Sequence, residues 1–559
     1  MSNWQQPEPV MNRHSMLKLP FILLSCSLLI YGCCNVNPPS GNSVFDYEKI
    51  NNATARQYLE PIRPGYEGRN PFWNRFATKF IYAPAFDFPQ NDRAVKYRFT
   101  IRQLDGGSSW SFIAETPTAP LSPVWNGIPV GQVLLTVEGI DADGKSIGEV
   151  GRREFFRDFP FRGPYKPAVR GYRQAARMAM LATHNMVQIQ HWAENTEPDM
   201  SYQHHTYPCK IIGATIRSEL LLAQELPAYR DRAVAIAGNA ARFLISQSRP
   251  EGEPLAFFPP TYYKGLIASK RAENQNKTMT MEAVAAGQAF LDLFDMTGET
   301  CYYDQALGIA DTYVKIQRPD GSYPIKVDFL TGEPVNDACA MLHPLLEYFQ
   351  RLHTEYGATD YLEAQRKAEM WMRENALRRF DFTGQFEDNR IMGLQPYENL
   401  TNCTAAPYAS YLLTKEQPSG QEIADAVDLI RFSEDQFTCW EAVPNADGID
   451  PINTPCVLEQ YKYRVPVDNS ACNVADAFIN LYQKTGDKIA LAKAIALINN
   501  ITVTQNAVNG FMPTTWDFCT PDNTGQRTYW INCSYSTVCS LFKLDDLLSH
   551  NPPEEGKIR

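Results

Sequence analysis

The spacing of hydrophobic residues changes near Pro167, from the alternation typical of strands to the three-to-four-residue repeat typical of helices. Before this point, Lys96–Arg102 and Gln132–Gly139 alternate apolar and polar residues, and Asp105–Gly107 supplies a turn signal between them. Short strands at this spacing predict an antiparallel β-sandwich of immunoglobulin or fibronectin type over residues 46–163.

After Pro167 the apolar residues recur at helical spacing, with breaks rich in aromatic residues and proline. This pattern predicts an all-α region over residues 164–550, followed by a short tail at residues 551–559. The predicted helices are Ala168–Trp192, Ala214–Leu226, Arg230–Gln247, Thr280–Asp295, Tyr302–Gln317, Ala338–His353, Leu362–Ala376, Gly420–Phe437, Ala471–Thr485 and Ile489–Gln505.

Two of the predicted helical hairpins repeat one another. Phe290–Glu299 matches Phe478–Asp487, and in both cases a second helix leads to a glutamine and then to an extended exit segment. A hairpin that recurs along a chain indicates a ring or superhelix of helix pairs. The fold class predicted from the sequence is therefore multidomain, with the β-sandwich followed by an (α/α) toroid of helical hairpins.

The N-terminal segment has the features of an export signal. An apolar stretch at Phe21–Gly32 follows Arg13 and Lys18 and is too short to span a bilayer permanently. Ile30–Cys33 resembles a bacterial lipobox, which implies lipidation of Cys33 after removal of the signal. We expect residues 1–33 to be the signal peptide and residues 34–45 a linker.

This segment predicts an exported protein that is lipid-anchored to the bacterial cell envelope at the outer membrane. Surface and periplasmic display both stay open. No second long apolar run follows, so the lipid anchor is the only membrane attachment expected. We expect the protein to be a monomer.

Composition narrows the choice of partners. The 559 residues include 52 Lys and Arg against 63 Asp and Glu, a formal net charge of −11. Such a balance argues against a partner with a phosphate backbone, so no nucleic acid is expected.

Of the 13 cysteines, the ten from Cys209 to Cys539 all fall in the helical region. Export permits disulfides among them, but a core of this size does not require any.

Half of the chain's eight histidines fall within 22 residues, at His184, His191, His204 and His205. Tyr202 and Tyr207 flank the last two. Histidine transfers protons near neutral pH and tyrosine can protonate a leaving oxygen, so this cluster is the first candidate for catalysis. The alternative is that individual members are hydrogen-bonded core histidines. No metal is predicted, because adjacent histidines usually point apart and no HExxH motif accompanies them.

Two further groups of polar residues lie in predicted loops. One combines carboxylates, aromatics and arginine, which suits the stacking and hydrogen bonding of sugars. Packing of loop against helix is the alternative explanation for it. Its members are Glu398, Glu459, Tyr463, Arg464 and Trp516. The other group offers alternative catalytic acids, which are Glu282, Asp337 and Asp517. For Asp337, a helix N-cap is the simpler role.

A lipobox, a β-sandwich and an α/α toroid together resemble exported polysaccharide-degrading lipoproteins of Bacteroidetes type. The phrases Ser433–Glu441 and Val457–Tyr463 are similar to segments of such proteins. Similar toroids host polysaccharide lyases, glycoside hydrolases, uronyl hydrolases and uronyl epimerases, so the fold leaves the chemistry open. The resemblance implies a polysaccharide or oligosaccharide substrate and no cofactor, with assistance by Ca²⁺ left open.

Within that resemblance, a lyase that cleaves a uronate-containing glycan by β-elimination is the preferred prediction. His204 or His205 would be the base and Tyr207 or Tyr202 the acid. His184, Asn185 and Arg217 would face the uronate carboxylate. Tyr463 and Arg464 would complete the site from the opposite loop.

Two other functions stay open. A six-hairpin glycoside hydrolase, including a uronyl hydrolase, would use a pair of the acids Glu282, Asp337 and Asp517. A non-catalytic glycan-binding lipoprotein would bind oligosaccharides without turnover, although stacking and hydrogen bonding alone do not require four clustered histidines.

Overall fold

The computed structural model describes residues 45–63, 72–265, 271–378, 380, 402–441, 454–459, 465–516 and 526–550. The predicted signal, lipid attachment at Cys33, most of the linker and the C-terminal tail lie outside these residues. Four predicted site residues also lie outside them, namely Glu398, Tyr463, Arg464 and Asp517. The backbone of Trp516 is described, but its side chain is not. Among the helices described, none has the length and apolar character needed to cross a membrane.

The N-terminal part is built on a five-stranded sheet of order β1-β5-β4-β2-β3. Tyr97, Phe99 and Ile101 alternate with more exposed residues along β2 and point into the core, as period-two patterning requires. β1 runs parallel to β5, and the other neighbours are antiparallel. The strands are β1 Lys79–Phe80, β2 Lys96–Gln103, β3 Ser109–Ala114, β4 Gly131–Ile140 and β5 Ser146–Arg157.

The predicted β texture is confirmed, but the immunoglobulin-type arrangement is not. Residues 45–63 and 72–163 contain this one sheet rather than two facing sheets. They also contain a helix, α1 Tyr47–Gln57, where the sequence analysis placed the first part of a sandwich. Asp46 caps this helix by accepting a hydrogen bond from the Lys49 amide, at 3.2 Å.

The rest of the described chain is mainly helical. Its helices are α2 Tyr172–His184, α3 Val187–Gln190, α4 Gly213–Glu225, α5 Arg230–Gln247, α6 Ala283–Thr297, α7 Thr300–Ile316, α8 His343–Tyr356, α9 Leu362–Met372, α10 Asn402–Thr414, α11 Gly420–Phe437, α12 Asp468–Thr485, α13 Lys488–Thr504 and α14 Ile531–His550. Three short ladders join the loops, and these are β6 Lys277–Met279 with β7 Lys326–Asp328, β8 Thr438–Cys439 with β9 Cys456–Val457, and β10 Thr515–Trp516 with β11 Gln526–Thr528.

The helices form a closed double ring. In the described residues, α4, α6, α8, α10, α12 and α14 each contact the next, and α14 returns to α4. Each of these inner helices packs against one outer helix, namely α5, α7, α9, α11, α13 and α2. The first outer helix, α2, pairs with the last helix of the chain, α14, so the two ends of the helical region close the ring. This arrangement is the predicted toroid of helical hairpins.

The predicted repeat is present in three dimensions. α6 and α12 both end at a glycine in the left-handed conformation, Gly298 and Gly486, each with φ of 74°. The glutamine that ends each following helix holds the exit segment in the same way. Gln317 donates to the carbonyl of Gly321, and Gln505 donates to the carbonyl of Gly510.

Three inner helices depart from the predictions. α8 begins at His343, five residues later than expected, because residues 338–340 pair with the segment after α7 instead. α10 contains Pro407, and a proline inside a helix argues against helix in a sequence pattern. The start of α14 is rich in Cys, Ser and Tyr, so helix propensity gives no signal there. Tertiary packing determines that this segment is helical.

The sheet and the toroid share one hydrophobic core, and buried charges fasten them together. Glu434 of α11 accepts hydrogen bonds from the hydroxyls of Tyr58 and Tyr82 at 2.6 and 2.7 Å. It also accepts from Trp440 at 3.0 Å and pairs with Lys493 of α13 at 2.7 Å. We call Tyr58, Tyr82, Glu434, Trp440 and Lys493 the glutamate bracket.

Candidate active site

A cavity of about 660 Å³ lies at the centre of the toroid. The inner helices α4, α6, α8 and α10 supply most of its wall. Lys210, Glu282, His343 and Cys403 lie at or just before the first residues of these helices. The cavity therefore opens among helix N-termini, whose unpaired amides favour negative charge and hydrogen-bond acceptors.

Helix α8 carries a polar stripe along the cavity wall. His343, Glu347, Arg351 and Glu355 recur at intervals of four residues, which places them on one helix face, and all four line the cavity. The opposite face buries leucine and aromatic side chains in the core. The role of this stripe is not evident from the sequence, because the polar face of an amphipathic helix usually faces solvent.

A charge network lies along the cavity wall farther from the helix N-termini. Asp292 of α6 accepts from Arg217 Nε through Oδ2 at 2.6 Å and contacts Arg351 Nη1 through Oδ1 at 2.6 Å. The guanidinium of Arg217 also lies over the ring of Tyr535, 5.0 Å from its centroid. Arg217, predicted to face a uronate carboxylate, thus lines the cavity, and its charge is engaged by a carboxylate of the protein.

Glu347 is the carboxyl group with the most unusual setting in this wall. Its side chain remains accessible to the cavity, although protein surrounds it on the other sides. Burial raises the pKa of Glu347 to about 7, and the positive charges of Arg217 and Lys543 oppose this rise. A carboxyl group with such a pKa is partly protonated at neutral pH, as a general acid must be.

A second such carboxyl group lies beside the cavity. Glu459 follows strand β9, and its carbonyl accepts from the amide of Asn402, next to the cavity residue Cys403. Burial raises the pKa of Glu459 to about 7, and the positive charge of Lys210 opposes the rise. The predicted loop residue Glu459 is thus brought to the same end of the toroid as Lys210.

Aromatic side chains cover the neighbouring edge. His204 stacks on Trp530 with ring centroids 4.0 Å apart, and Tyr207 lies 5.4 Å from the same indole. Lys210 Nζ lies 4.6 Å from the Tyr207 centroid and 5.1 Å from that of Trp530. We call Tyr202, His204, Tyr207 and Trp530 the aromatic corner. Trp530 and His204 are half-buried, so part of this surface is accessible to a ligand.

Two histidines at this end are neutral at physiological pH. Burial lowers the pKa of His343 to about 4. Burial, together with the charge of Lys210, also lowers the pKa of His204 to about 4. Neutral imidazoles can accept protons, and His343 Nδ1 has no hydrogen-bond partner among the described residues.

The predicted role of His184 and Asn185 at a substrate carboxylate is corrected by their positions. His184 is 3% exposed and its Nδ1 lies 2.6 Å from the buried carboxylate of Glu219. It therefore fastens the outer helix α2 to α4. Asn185 is exposed at the end of α2, and neither residue lines the central cavity.

His205 and Tyr202, predicted as alternatives for the base and the acid, are both buried and do not line the cavity. His205 is fully buried, and its Nδ1 donates to the carbonyl of Asp199 at 2.7 Å. The Tyr202 hydroxyl donates to the carbonyl of Tyr529 and accepts from the amide of Ile531, at 2.9 and 3.2 Å. These contacts tie the histidine-containing loop to the start of α14. Tyr207, a member of the aromatic corner, is fully buried.

The three alternative catalytic acids differ in their positions relative to the cavity. Glu282 stands at the N-terminus of α6 and lines the cavity. Asp337 is exposed and lies six residues before α8, so it is neither that helix's N-cap nor part of the cavity wall. Asp517 lies outside the described residues. Its repeat counterpart Asp328 pairs with Lys277 at 2.7 Å, a structural contact between β6 and β7.

No group of three or more His, Cys, Asp or Glu side chains that could hold a metal ion occurs in the part of the chain that the structure describes.

Comparisons with known proteins assign neither a family nor a reaction to this chain. No protein-family model matches the sequence, and no curated protein matches it significantly. Among solved structures, a family 76 glycoside hydrolase from a bovine Bacteroides thetaiotaomicron strain matches at 10% identity and a TM-score of 0.45, over 84% of this chain and all (100%) of that one. Cellobiose 2-epimerase from Spirochaeta thermophila matches at 13% identity and a TM-score of 0.45, over 67% and 98% of the two chains. An unsaturated glucuronyl hydrolase specific for heparin matches at 11% identity and a TM-score of 0.40, over 68% and 99%.

The raised pKa values predict a fall in stability with rising pH. In the unfolded chain a glutamate has a pKa of about 4.3, whereas Glu347 and Glu459 have pKa values of about 7 in the folded protein. Their contribution to the free energy of unfolding is therefore complete below the unfolded pKa and is lost as pH rises through about 7. The lowered pKa values of His204 and His343 act in the opposite direction up to the unfolded histidine pKa of about 6.5. Urea unfolding midpoints should therefore fall from neutral to mildly alkaline buffer.

The double variant Glu347→Gln/Glu459→Gln should show a smaller fall over the same range. Glu48→Gln, at an exposed position of α1, is the matched control and should behave like the unmodified protein. An undiminished fall in the double variant would contradict this origin of the pH dependence.

Proposed function

We propose that the protein is a carbohydrate-degrading enzyme whose active site is the central cavity, and that it cleaves a glycosidic bond by hydrolysis. The observation that carries this proposal is the presence, in one cavity wall, of Glu347 with a pKa of about 7 and of a second carboxyl group, Glu282. Hydrolysis of a glycoside requires such a pair, one protonated and one ionised.

The roles follow from the two environments. Glu347, partly protonated at neutral pH, would donate its proton to the oxygen of the leaving sugar. Glu282, at the N-terminus of α6, would act as the base that takes a proton from the attacking water or as the nucleophile. Neighbouring helices pack with axes about 8–10 Å apart, which can place two cavity-facing carboxyl groups within the roughly 5–10 Å that glycosidases use.

The remaining polar and aromatic groups suit a sugar ligand. Trp530 offers an aromatic face on which a pyranose can stack, and Lys210 can bond to hydroxyl or carboxylate oxygens beside it. Glu459 would accept from hydroxyl groups at the same edge. The predicted export and lipid anchoring at Cys33 form part of the proposal, since they would bring the cavity to extracellular or periplasmic glycans.

Elimination at a uronate is the second candidate, and one observation favours it. His204 is uncharged, with a pKa of about 4, and lies in the aromatic corner with Lys210. A neutral base next to a cation is what abstraction of a proton beside a uronate carboxylate needs. The base in this mechanism would be His204 alone, because His205 is buried.

Product analysis distinguishes the two reactions. The full-length protein is incubated with a panel of neutral and uronate-containing oligosaccharides, and the products are examined by mass spectrometry and ultraviolet absorbance. Hydrolysis adds one water to each cleaved bond and gives no unsaturated sugar, and His204→Ala should then retain turnover. An unsaturated uronate product that disappears in His204→Ala would support elimination instead. Tight binding without any product would contradict both and support a glycan-binding role.

A further inference from the structure

Two cysteines face one another across a short ladder at the edge of the active-site end. In the antiparallel pair β8–β9, Cys439 is the direct partner of Cys456, and Thr438 is the partner of Val457. Directly opposed residues in antiparallel strands have Cα atoms about 4.5–5.5 Å apart. A disulfide spans Cα separations of about 4.4–6.8 Å, so the backbone already meets its main geometric requirement.

The side chains of this pair are in contact with one another. Cys456 is 2% exposed and packs with Leu458 in a small cluster of its own, to which the half-buried Cys439 also belongs. Burial and a hydrogen bond with the Cys439 side chain raise the pKa of Cys456. Both residues are thiols in this structure.

We propose that Cys439 and Cys456 form a disulfide when the protein is in an oxidising compartment. The oxidant is a low-molecular-weight or protein disulfide. The more accessible Cys439 thiolate attacks it, which forms a mixed disulfide and releases one thiolate of the oxidant. Cys456, after losing its proton, then attacks the Cys439 sulfur, and the second thiolate leaves. One S–S bond forms in the protein, and the oxidant gains two electrons and two protons.

The bond would fix the strand that leads directly to Glu459. The Leu458 amide donates to the Phe437 carbonyl at 2.8 Å on one side of β9, and the Val467 amide donates to the Val457 carbonyl at 3.1 Å on the other. Glu459 follows this strand directly, and α12 begins just after Val467. A cross-link at Cys456 would therefore hold Glu459 in register with the end of α11.

The cross-link can be mapped directly on the folded, full-length protein. The protein is incubated with oxidised glutathione, the remaining thiols are alkylated after denaturation, and the non-reduced peptides are analysed by mass spectrometry. We expect a linked pair of peptides containing Cys439 and Cys456. Oxidation should also raise Tm by a few degrees, because the bond closes a loop of the unfolded chain.

Two variants separate this outcome from general oxidation. Cys439→Ser should give no linked peptide and no rise in Tm. Cys472→Ser, at a buried position of α12, should retain both effects. Alkylation of both Cys439 and Cys456 after oxidation, or linkage of either to another cysteine, would overturn the proposal. Neither result bears on carbohydrate cleavage, which is tested by its own products.

Discussion

Replacement of Glu347 by Gln is expected to lower kcat for glycan cleavage by about 10²–10⁴-fold, the range associated with loss of a general acid. Glutamine keeps the shape of the side chain but has no proton to donate to the leaving oxygen. Because the carboxyl has a pKa of about 7, the unmodified enzyme should lose activity as pH rises through that value. The residual activity of Glu347→Gln should lack this alkaline limb. Initial rates across a pH series measure both effects.

The matched control for this variant is Glu363→Gln, an exposed glutamate on the outer helix α9. It should leave kcat and the pH profile unchanged. The urea unfolding midpoint of Glu347→Gln should show that the fold is intact, since Glu347 forms no direct ion pair in the part of the chain that the structure describes and its burial disfavours the charged form. A fully active Glu347→Gln would exclude Glu347 as the acid.

Replacement of Glu434 by Ala is expected to reduce the free energy of unfolding by about 3–5 kcal/mol, the cost of leaving a buried charge unpaired. Glu434 and Lys493 are 0% and 2% exposed, so water cannot solvate the ammonium group that remains. Burial already lowers the pKa of Lys493, and the charge of Glu434 opposes this. The loss of three further hydrogen bonds from Tyr58, Tyr82 and Trp440 adds to the effect.

Two comparisons assign this loss to the glutamate bracket. The double variant Glu434→Gln/Lys493→Met removes both charges and should recover most of the stability. Glu363→Ala breaks an exposed pair with Arg366 and should cost at most about 1 kcal/mol. Denaturant unfolding of the four proteins gives the values. A loss in Glu434→Ala no larger than that in Glu363→Ala would show that the bracket does not fasten the sheet to the toroid.

The parts of the fold that could be predicted are those fixed by local pattern. Alternation defined β2 and β4, and helical spacing placed α5 and α11 at the residues where the structure has them. The repeated Thr-Gly pair ends α6 and α12 at left-handed glycines, which only a local backbone requirement explains. Each of these patterns can be read within a single helix or strand and its ends.

The candidate site was harder to predict because it depends on distant contacts. His184 was attractive as a catalytic residue, but its partner Glu219 lies 35 residues away, and their packing removes it from the cavity. Glu347 could not be singled out from the sequence, because only ring closure turns its face of α8 toward the cavity. Glu282 and Glu459 could be named from the sequence as candidate polar residues, whereas the loop pairings that place Glu282 in the cavity wall and Glu459 beside it could not be read from spacing.

Every catalytic role proposed above requires sugar to bind in the central cavity. The most direct test is a crystal structure of Glu347→Gln with an oligosaccharide that the unmodified enzyme cleaves. We predict a sugar in the toroid, with a glycosidic oxygen next to residue 347 and a ring against Trp530. An oligosaccharide bound instead on the N-terminal sheet or on the outer helices, with the cavity empty, would contradict the account.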